Sequence, residues 1–228
     1  MNDLAIAIPL YEGAATVGDV VRGARASGFP VVVVDDGSTD GGAQLAEAAG
    51  AIVLRHSANH GKGAALATAF AWAARRDARA VLTLDADGQH DPVEIPRLAA
   101  AWRTAPRALV IGVRAFDDAM PRRSRVGNRI STYWISRFAN RTLADSQSGF
   151  RVYPRELFAG PPLRTSRFDT EAELLLRAAK YDLPFIEIPI RTIYASDRST
   201  HFRNFRDTLR IMKLVIGSPL WKLDSPSP

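Results

Sequence analysis

Two apolar runs of strand length end in pairs of aspartate. Pro30 to Val34 carries four consecutive valines and stops at Asp35-Asp36-Gly37-Ser38-Thr39-Asp40. Val81-Leu82-Thr83-Leu84 stops at Asp85-Ala86-Asp87-Gly88-Gln89-His90. A strand with one wet face alternates apolar and polar residues, so runs of this kind belong to a sheet covered on both faces. Leu4 to Ile8 before Pro9, Ile52 to Leu54, and Ala108 to Gly112 read as further strands. Helix-length segments fall between them, at about 16–27 with Thr16 as cap, 40–49, 62–76 and 92–104, the last opened by Pro92 with Asp91 as N-cap. Strand and helix in alternation predict an α/β fold, a doubly wound and mostly parallel sheet with helices on both faces in a single domain. Ligands in such sheets bind at the carboxyl ends of the strands. Pro9, Asp35-Asp36, Asp85 to Asp87 and Gly112 to Arg114 should therefore share one edge.

The acidic strand ends point to chemistry. Asp85 and Asp87 repel each other, and burial would raise their pKa values unless a cation lay close. A divalent metal with oxygen ligands satisfies them, with Gln89 adding a carbonyl oxygen and Gly88 permitting the sharp turn. The competing reading is an acidic turn that caps a helix. Asp35 and Asp36 can accept hydrogen bonds from a base or a ribose, or can simply begin a capped helix.

Length and composition narrow the classes. At 228 residues, 46% hydrophobic and 24% charged, the chain suits one globular domain. The absence of cysteine excludes disulfides, thiolate catalysis and thiolate zinc sites. The first residues, M-N-D-L-A-I-A-I-P, do not read as a signal peptide, and no run approaches the ~20 apolar residues of a membrane span. The expected compartment is the cytoplasm. The net charge of +6 is uneven: residues 1–113 carry 10 basic and 12 acidic side chains, whereas 114–151 carry 8 and 3. An anionic partner is expected at the second half.

Past Arg114 the alternation stops. Arg122, Arg123 and Arg125 precede a helix expected over about 125–143, with Tyr133, Trp134 and Phe138 as packing residues. The turn-rich D-S-Q-S-G-F-R of 145–151 leads into Val152-Tyr153. A helix is expected from Phe168 to about Tyr181, then a strand from Phe185 to Ile190. In a last helix over about 202–216, Phe202, Phe205, Leu209, Met212 and Ile216 form an apolar stripe beside Arg203, Arg206, Arg210 and Lys213. The stripe reads as packing and the basic rim as a contact for an anionic membrane surface.

No G-x-G-x-x-G follows the first strand, and G-K-G at Gly61 lacks the rest of a P-loop, so dehydrogenase and ATPase are disfavoured. The segments A-I-P-L-Y-E-G, V-V-D-D-G-S-T-D-G, N-H-G-K-G-A-A-L, D-A-D-G-Q-H-D-P, G-V-R and D-S-Q-S-G-F-R occur in that order. In this the chain resembles family 2 glycosyltransferases of the GT-A fold, and within them the dolichyl- and polyprenyl-phosphate glycosyltransferases. The resemblance implies one glycosyltransferase domain over 1–217, with a nucleotide-sugar half to about 113 and an acceptor half beyond it. A disordered tail over 218–228 is expected to follow. It implies a UDP- or GDP-linked sugar donor, Mg2+ or Mn2+, inversion at the anomeric carbon, and a polyprenyl-phosphate or lipid-like acceptor.

By the same resemblance Pro9, Tyr11, Glu12, Asp35, Asp36 and Lys62 line the nucleoside pocket. Asp85, Ala86, Asp87 and Arg203 meet the donor diphosphate. Asp85, Asp87, Gln89 and His201 hold the metal. Arg114, with Arg122, Arg123 or Arg125, and Gln147 and Arg151 meet the acceptor. Asp145, Arg114 and Asp87 form the catalytic set. An anionic lipid phosphate barely needs a base, whereas a hydroxyl acceptor would need one, with Asp145 first in line. Peripheral contact with the inner face of the membrane fits a lipid acceptor. A nucleotidyltransferase and a non-catalytic nucleotide-binding module remain as alternatives. A nucleic-acid binder is disfavoured, because the aromatics are not interleaved with the arginines.

Overall fold

A computed structural model of the chain describes residues 3–114, 122–193, 211, 212, 214–218 and 221, with backbone alone over 122–128. The first half alternates as expected: β1 (Leu4–Leu10), α1 (Ala14–Arg25), β2 (Val31–Asp35), α2 (Gly42–Ala48), β3 (Ile52–Arg55), α3 (Lys62–Ala74) and β4 (Ala80–Thr83). A 3-10 turn over Pro92–Glu94 leads into α4 (Ile95–Thr104), followed by β5 (Leu109–Arg114). Then come α5 (Arg122–Ala139), β6 (Arg151–Pro154), α6 (Arg155–Phe158), α7 (Thr170–Lys180) and β7 (Phe185–Ile190).

The strands form one sheet in the order β3-β2-β1-β4-β6-β5-β7. All pairs are parallel except those of β6, which runs antiparallel to β4 and to β5. Thr83 lies opposite Arg151, so β6 begins where β4 ends. The stretch before β6, residues 145–150, is thereby delivered to the carboxyl edge beside Asp85.

Side chains alternate across the sheet and fill a core on each face. Leu4, Ile6, Ile8 and Leu10 of β1 pack with Val17, Val21, Leu98 and Trp102 of α1 and α4. Ala5 and Ala7, with Val32 and Val34, face Leu66, Phe70, Leu174 and Leu175 of α3 and α7. Small residues on that face of β1 let α3 lie close.

Several local expectations change. Thr16 does not cap α1: Gly13 holds the N-cap position, and the Thr16 hydroxyl donates to the Ala86 carbonyl at 2.6 Å, tying α1 to the acidic turn. Asp91 does cap, accepting from Val93 N. Tyr133, Trp134 and Phe138 are not packing residues: they are 65%, 39% and 37% exposed, and Ser131, Thr132, Ile135 and Ala139 form the buried face of α5. Most of the expected helix over 202–216 lies outside the described residues. In its described part Ile211 and Val215 are buried while Met212 and Ile216 are exposed, so the packed stripe is offset by one residue. Ser218 and Trp221, placed in the loose tail, are held instead. Ser218 Oγ donates to Val215 O, and the Trp221 carbonyl accepts from Lys180 Nζ.

Candidate active site

The carboxyl edge is built from loops that stitch one another. Glu12, at a left-handed φ of 49°, accepts from the Thr39 backbone and hydroxyl, and its own N–H donates to Ser38 Oγ. Asp40 accepts from Ala14 N at 2.7 Å and from Gly42 N at 2.9 Å, serving the first turns of α1 and α2. Asp35 accepts from Ser38 N. The buried Asp36 carboxylate accepts from Gly61 N at 2.7 Å and His60 N at 3.0 Å, with His56 Nδ1 at 2.7 Å. Both carboxylates of the V-V-D-D motif thus organise backbone. Asp36 fixes the turn from which α3, and with it Lys62, departs. Pro9 lies one residue before the end of β1, beside Val34, and the Tyr11 ring stands half-exposed on the rim.

Lys62 points at the β4 end. Its ammonium lies 2.6 Å from Asp85 Oδ1 and 2.9 Å from Glu171 Oε1, and 6.0 Å from the centre of the Phe168 ring. Burial pulls the Lys62 pKa down, but the two carboxylates outweigh it and hold the ammonium above its ordinary value. Burial likewise pushes Asp85 up, and the Lys62 ammonium, which also hydrogen-bonds it, turns the net direction downward together with the charge of Arg114. Asp85 is therefore ionised and Lys62 charged at neutral pH. Burial depresses the His90 imidazole to about 4, against the pull of Asp85 and with the help of Arg114 and Lys62. His90 is neutral at pH 7, its ring tilted against that of Phe150 at 5.2 Å between centroids, and it is bridged in backbone to Thr192.

Glu171 was not expected here. It stands in the first turn of α7, and Glu173 beside it is buried as well. One signal was present in the sequence. T-E-A-E-L-L-L-R-A-A is apolar around most of its circumference, so carboxylates in its first turn have little solvent to reach and need cations. Gly149 closes the site from the β6 side. A Cβ there would lie 2.6 Å from Asp85 Oδ2 and 3.0 Å from Glu171 Oε1. Lys62 holds the Asp85 carboxylate, so relieving the contact means moving it. Gly149→Ala is expected to lower turnover by about ten- to a hundredfold through misplacement of Asp85. Melting temperature should stay close to that of the parent. Steady-state rates and a thermal melt, measured together, test this, and a large loss of stability would refute it.

Asp87 Oδ1 accepts from Gln89 N at 2.9 Å, and the Gln89 carbonyl accepts from Ile193 N. Gly88 makes the turn at φ 69°. Ala86, buried between the aspartates, offers its carbonyl to Thr16. Two carboxylates and an amide form an all-oxygen donor set, which suits a hard divalent cation such as Mg2+ or Mn2+. Among the described residues no group of three or more His, Cys, Asp or Glu is assembled for a metal. Of the residues expected to hold it, Asp85, Asp87 and Gln89 are described, and His201, like the expected diphosphate partner Arg203, lies outside the described residues.

The acceptor side contains one tight pair. Arg114, ending β5, grips the fully buried Asp145 side-on, Nε to Oδ2 at 2.7 Å and Nη2 to Oδ1 at 3.1 Å. Asp145 Oδ1 also accepts from Gln147 N, and Gln147 Nε2 reaches Ser131 Oγ of α5 at 3.3 Å. Arg151 corrects an expectation. It is fully buried, and its guanidinium donates to the carbonyls of Ser146, Ser148 and Glu171. It braces the 145–150 loop from inside and presents nothing to an acceptor. Arg122, Arg123 and Arg125 begin α5 in backbone, and their side chains lie outside the described residues.

The model of the family described as glycosyl transferase family 2 matches residues 5–160. An uncharacterised protein from Methanocaldococcus jannaschii is 30% identical over 94% of this chain and 92% of its own length. The UDP-N-acetylglucosamine–dolichyl-phosphate N-acetylglucosaminyltransferase of Methanococcus voltae is 27% identical over 93% of this chain and 96% of its own. A crystal structure of glucosyl-3-phosphoglycerate synthase from Mycobacterium tuberculosis, in complex with Mn2+, UDP and glucosyl-3-phosphoglycerate, shares the fold. Its TM-score is 0.72 over 95% of this chain and 78% of that one, at 19% identity.

Proposed function

The chain belongs to glycosyl transferase family 2 and has the GT-A fold, and from that premise we propose that it moves a hexosyl group, with inversion, from a UDP- or GDP-linked sugar to a polyprenyl phosphate. The observation that carries the acceptor class is the engagement of Asp145. Both of its oxygens are gripped by Arg114 and one also accepts from Gln147 N, in a spot with no solvent access. That arrangement suits a positioning carboxylate better than a general base. A lipid phosphate is already anionic near pH 7 and needs none. The full-length similarity to a dolichyl-phosphate enzyme supports the same choice.

The residues divide the work along the edge. The stitched loops after β1 and β2, with Tyr11 on the rim, form the floor for the nucleoside. Asp85 and Asp87 would hold Mg2+ or Mn2+, which supplies Lewis-acid neutralisation of the departing diphosphate. Lys62 sets the Asp85 carboxylate in place and adds positive charge to the same corner, where negative charge collects as the glycosidic bond breaks. The Arg114–Asp145 pair fixes the loop that faces the sugar. The acceptor phosphate meets Arg122, Arg123 or Arg125 at the start of α5, where guanidinium forks match phosphate oxygens. The lipid acceptor brings the chain to a membrane surface, although no helix among the described residues is long and apolar enough to cross one.

The test is nucleoside diphosphate release from a panel of UDP- and GDP-sugars with Mn2+, with and without a short-chain polyprenyl phosphate. Release that depends on the lipid phosphate is expected. Release indifferent to it, but abolished in Asp145→Asn, would transfer the assignment to a hydroxyl acceptor. Release of pyrophosphate would mark a nucleotidyltransferase.

A further inference from the structure

The 18 residues of α5 include five arginines and no carboxylate. Its inner face is fixed to the candidate site: Ser131 meets Gln147, and Thr132 shares hydrogen bonds with Ser146 Oγ at 2.8 Å and Ser146 N at 3.2 Å. Its outer face has no covering element among the described residues. Ile130, Tyr133, Trp134 and Phe138 are all exposed, and the three rings touch in series, 5.5 Å and 6.3 Å between neighbouring centroids. Arg129 and Arg137 stand on the same face. With Arg141 they line a cleft of about 640 Å³ running along the helix to Ala144. A solvated helix face ordinarily carries both signs of charge and few aromatics. This one has a contiguous aromatic ridge beside Arg129 and Arg137, and Arg141 at the end of the cleft pairs with Asp182 at 2.8 Å.

We propose that the outer face of α5 docks on the surface of an anionic lipid bilayer, with the aromatic ridge in the headgroup–acyl boundary and the arginines on lipid phosphates. Tyr133 and Trp134 combine an apolar body with a polar tip, which suits that boundary, and arginines keep their charged ends at headgroup level. Charge complementarity favours a membrane over a second copy. In a two-fold pairing the patch meets itself, so Arg129 and Arg137 would face their own copies with no α5 carboxylate to answer them. The proposal deepens the polyprenyl-phosphate reading and rests on it for its purpose. Ser131 and Thr132 join α5 to the Asp145 loop, so docking would bring the acceptor's headgroup plane beside the site.

The full chain is sedimented with vesicles of phosphatidylcholine alone and of phosphatidylcholine mixed with phosphatidylglycerol. Binding to the anionic vesicles is expected, with loss of about tenfold in partition for Arg137→Glu and for Trp134→Ser. Both side chains are exposed, so both variants should fold, and circular dichroism checks that. On a short, water-soluble prenyl phosphate both variants should turn over like the parent, while on acceptor embedded in anionic vesicles they should be slower. No sedimentation with anionic vesicles, or variants that bind like the parent, would overturn the proposal. So would a dimer in solution that Trp134→Ser dissociates, which would make the face an interface between copies. Absence of transfer to the soluble prenyl phosphate by the parent would sink the acceptor reading instead, and the vesicle result would still decide the docking.

Discussion

Asp85→Asn is expected to lower sugar transfer by about a thousandfold while leaving the fold in place. The substitution keeps the shape of the side chain and removes the charge that faces Lys62 at 2.6 Å. It also removes one of the two carboxylates proposed to hold the divalent ion. Lys62 keeps Glu171 at 2.9 Å, so the ammonium is not stranded and the stability cost stays small. The measurements are the initial rate of nucleoside diphosphate release and, independently of turnover, Mn2+ affinity without donor. Both should fall. An Asp85→Asn protein within a few-fold of the parent in rate would remove Asp85 from the mechanism.

Glu173→Ala is expected to destabilise the protein by about 3–5 kcal/mol, a drop in melting temperature of about 10 °C. Glu173 is fully buried and lies 2.6 Å from the Arg177 guanidinium, one turn along α7. It also accepts from Arg164 N, Thr165 N and the Thr165 hydroxyl. Removing it leaves a buried guanidinium whose remaining partners are the carbonyls of Pro161 and Pro162, and leaves loop donors without an acceptor. That loop matters to the site. The Ser166 carbonyl accepts from Ala64 N, and a Cβ on Gly61 would lie only 2.5 Å from it, so the loop seats the start of α3 where Lys62 stands. Chemical or thermal denaturation checks the magnitude. A change below about 1 kcal/mol would mean that the loop holds itself.

The sequence was most readable where one residue type does one thing. Four valines in succession, β-branched and flanked by turn residues, read as a strand covered on both faces, and the acidic pairs that stop such runs point to the ligand edge. What failed to show was direction and depth. Val152-Tyr153 is too short a signal to reveal a strand that reverses the sheet's direction. Arg151, beside a turn full of serines, looks like a ligand for phosphate, yet its partners are carbonyls brought together only by the tertiary fold. The same holds for Glu171. It is 109 positions from Lys62 in the chain and next to it in space. The aromatics of α5 were misread for a different reason: large apolar residues on a helix normally face the core, and nothing in their spacing says which side the core is on.

The placement of β6 has a consequence for how the molecule comes into being. Without it the sheet would be two separate pieces, β3-β2-β1-β4 and β5-β7, with no hydrogen bond between them. The strand that joins them arrives after two long excursions of the chain, which makes its docking a late and non-local event. The same docking carries Gly149 against Asp85 and Asp145 against Arg114. Assembly of the sheet and assembly of the catalytic corner are therefore one step. In a nascent chain that has not closed its sheet, Asp85 lacks Gly149 beside it and Arg114 lacks Asp145, although the loops after β1 and β2 belong to a piece of sheet that pairs without β6.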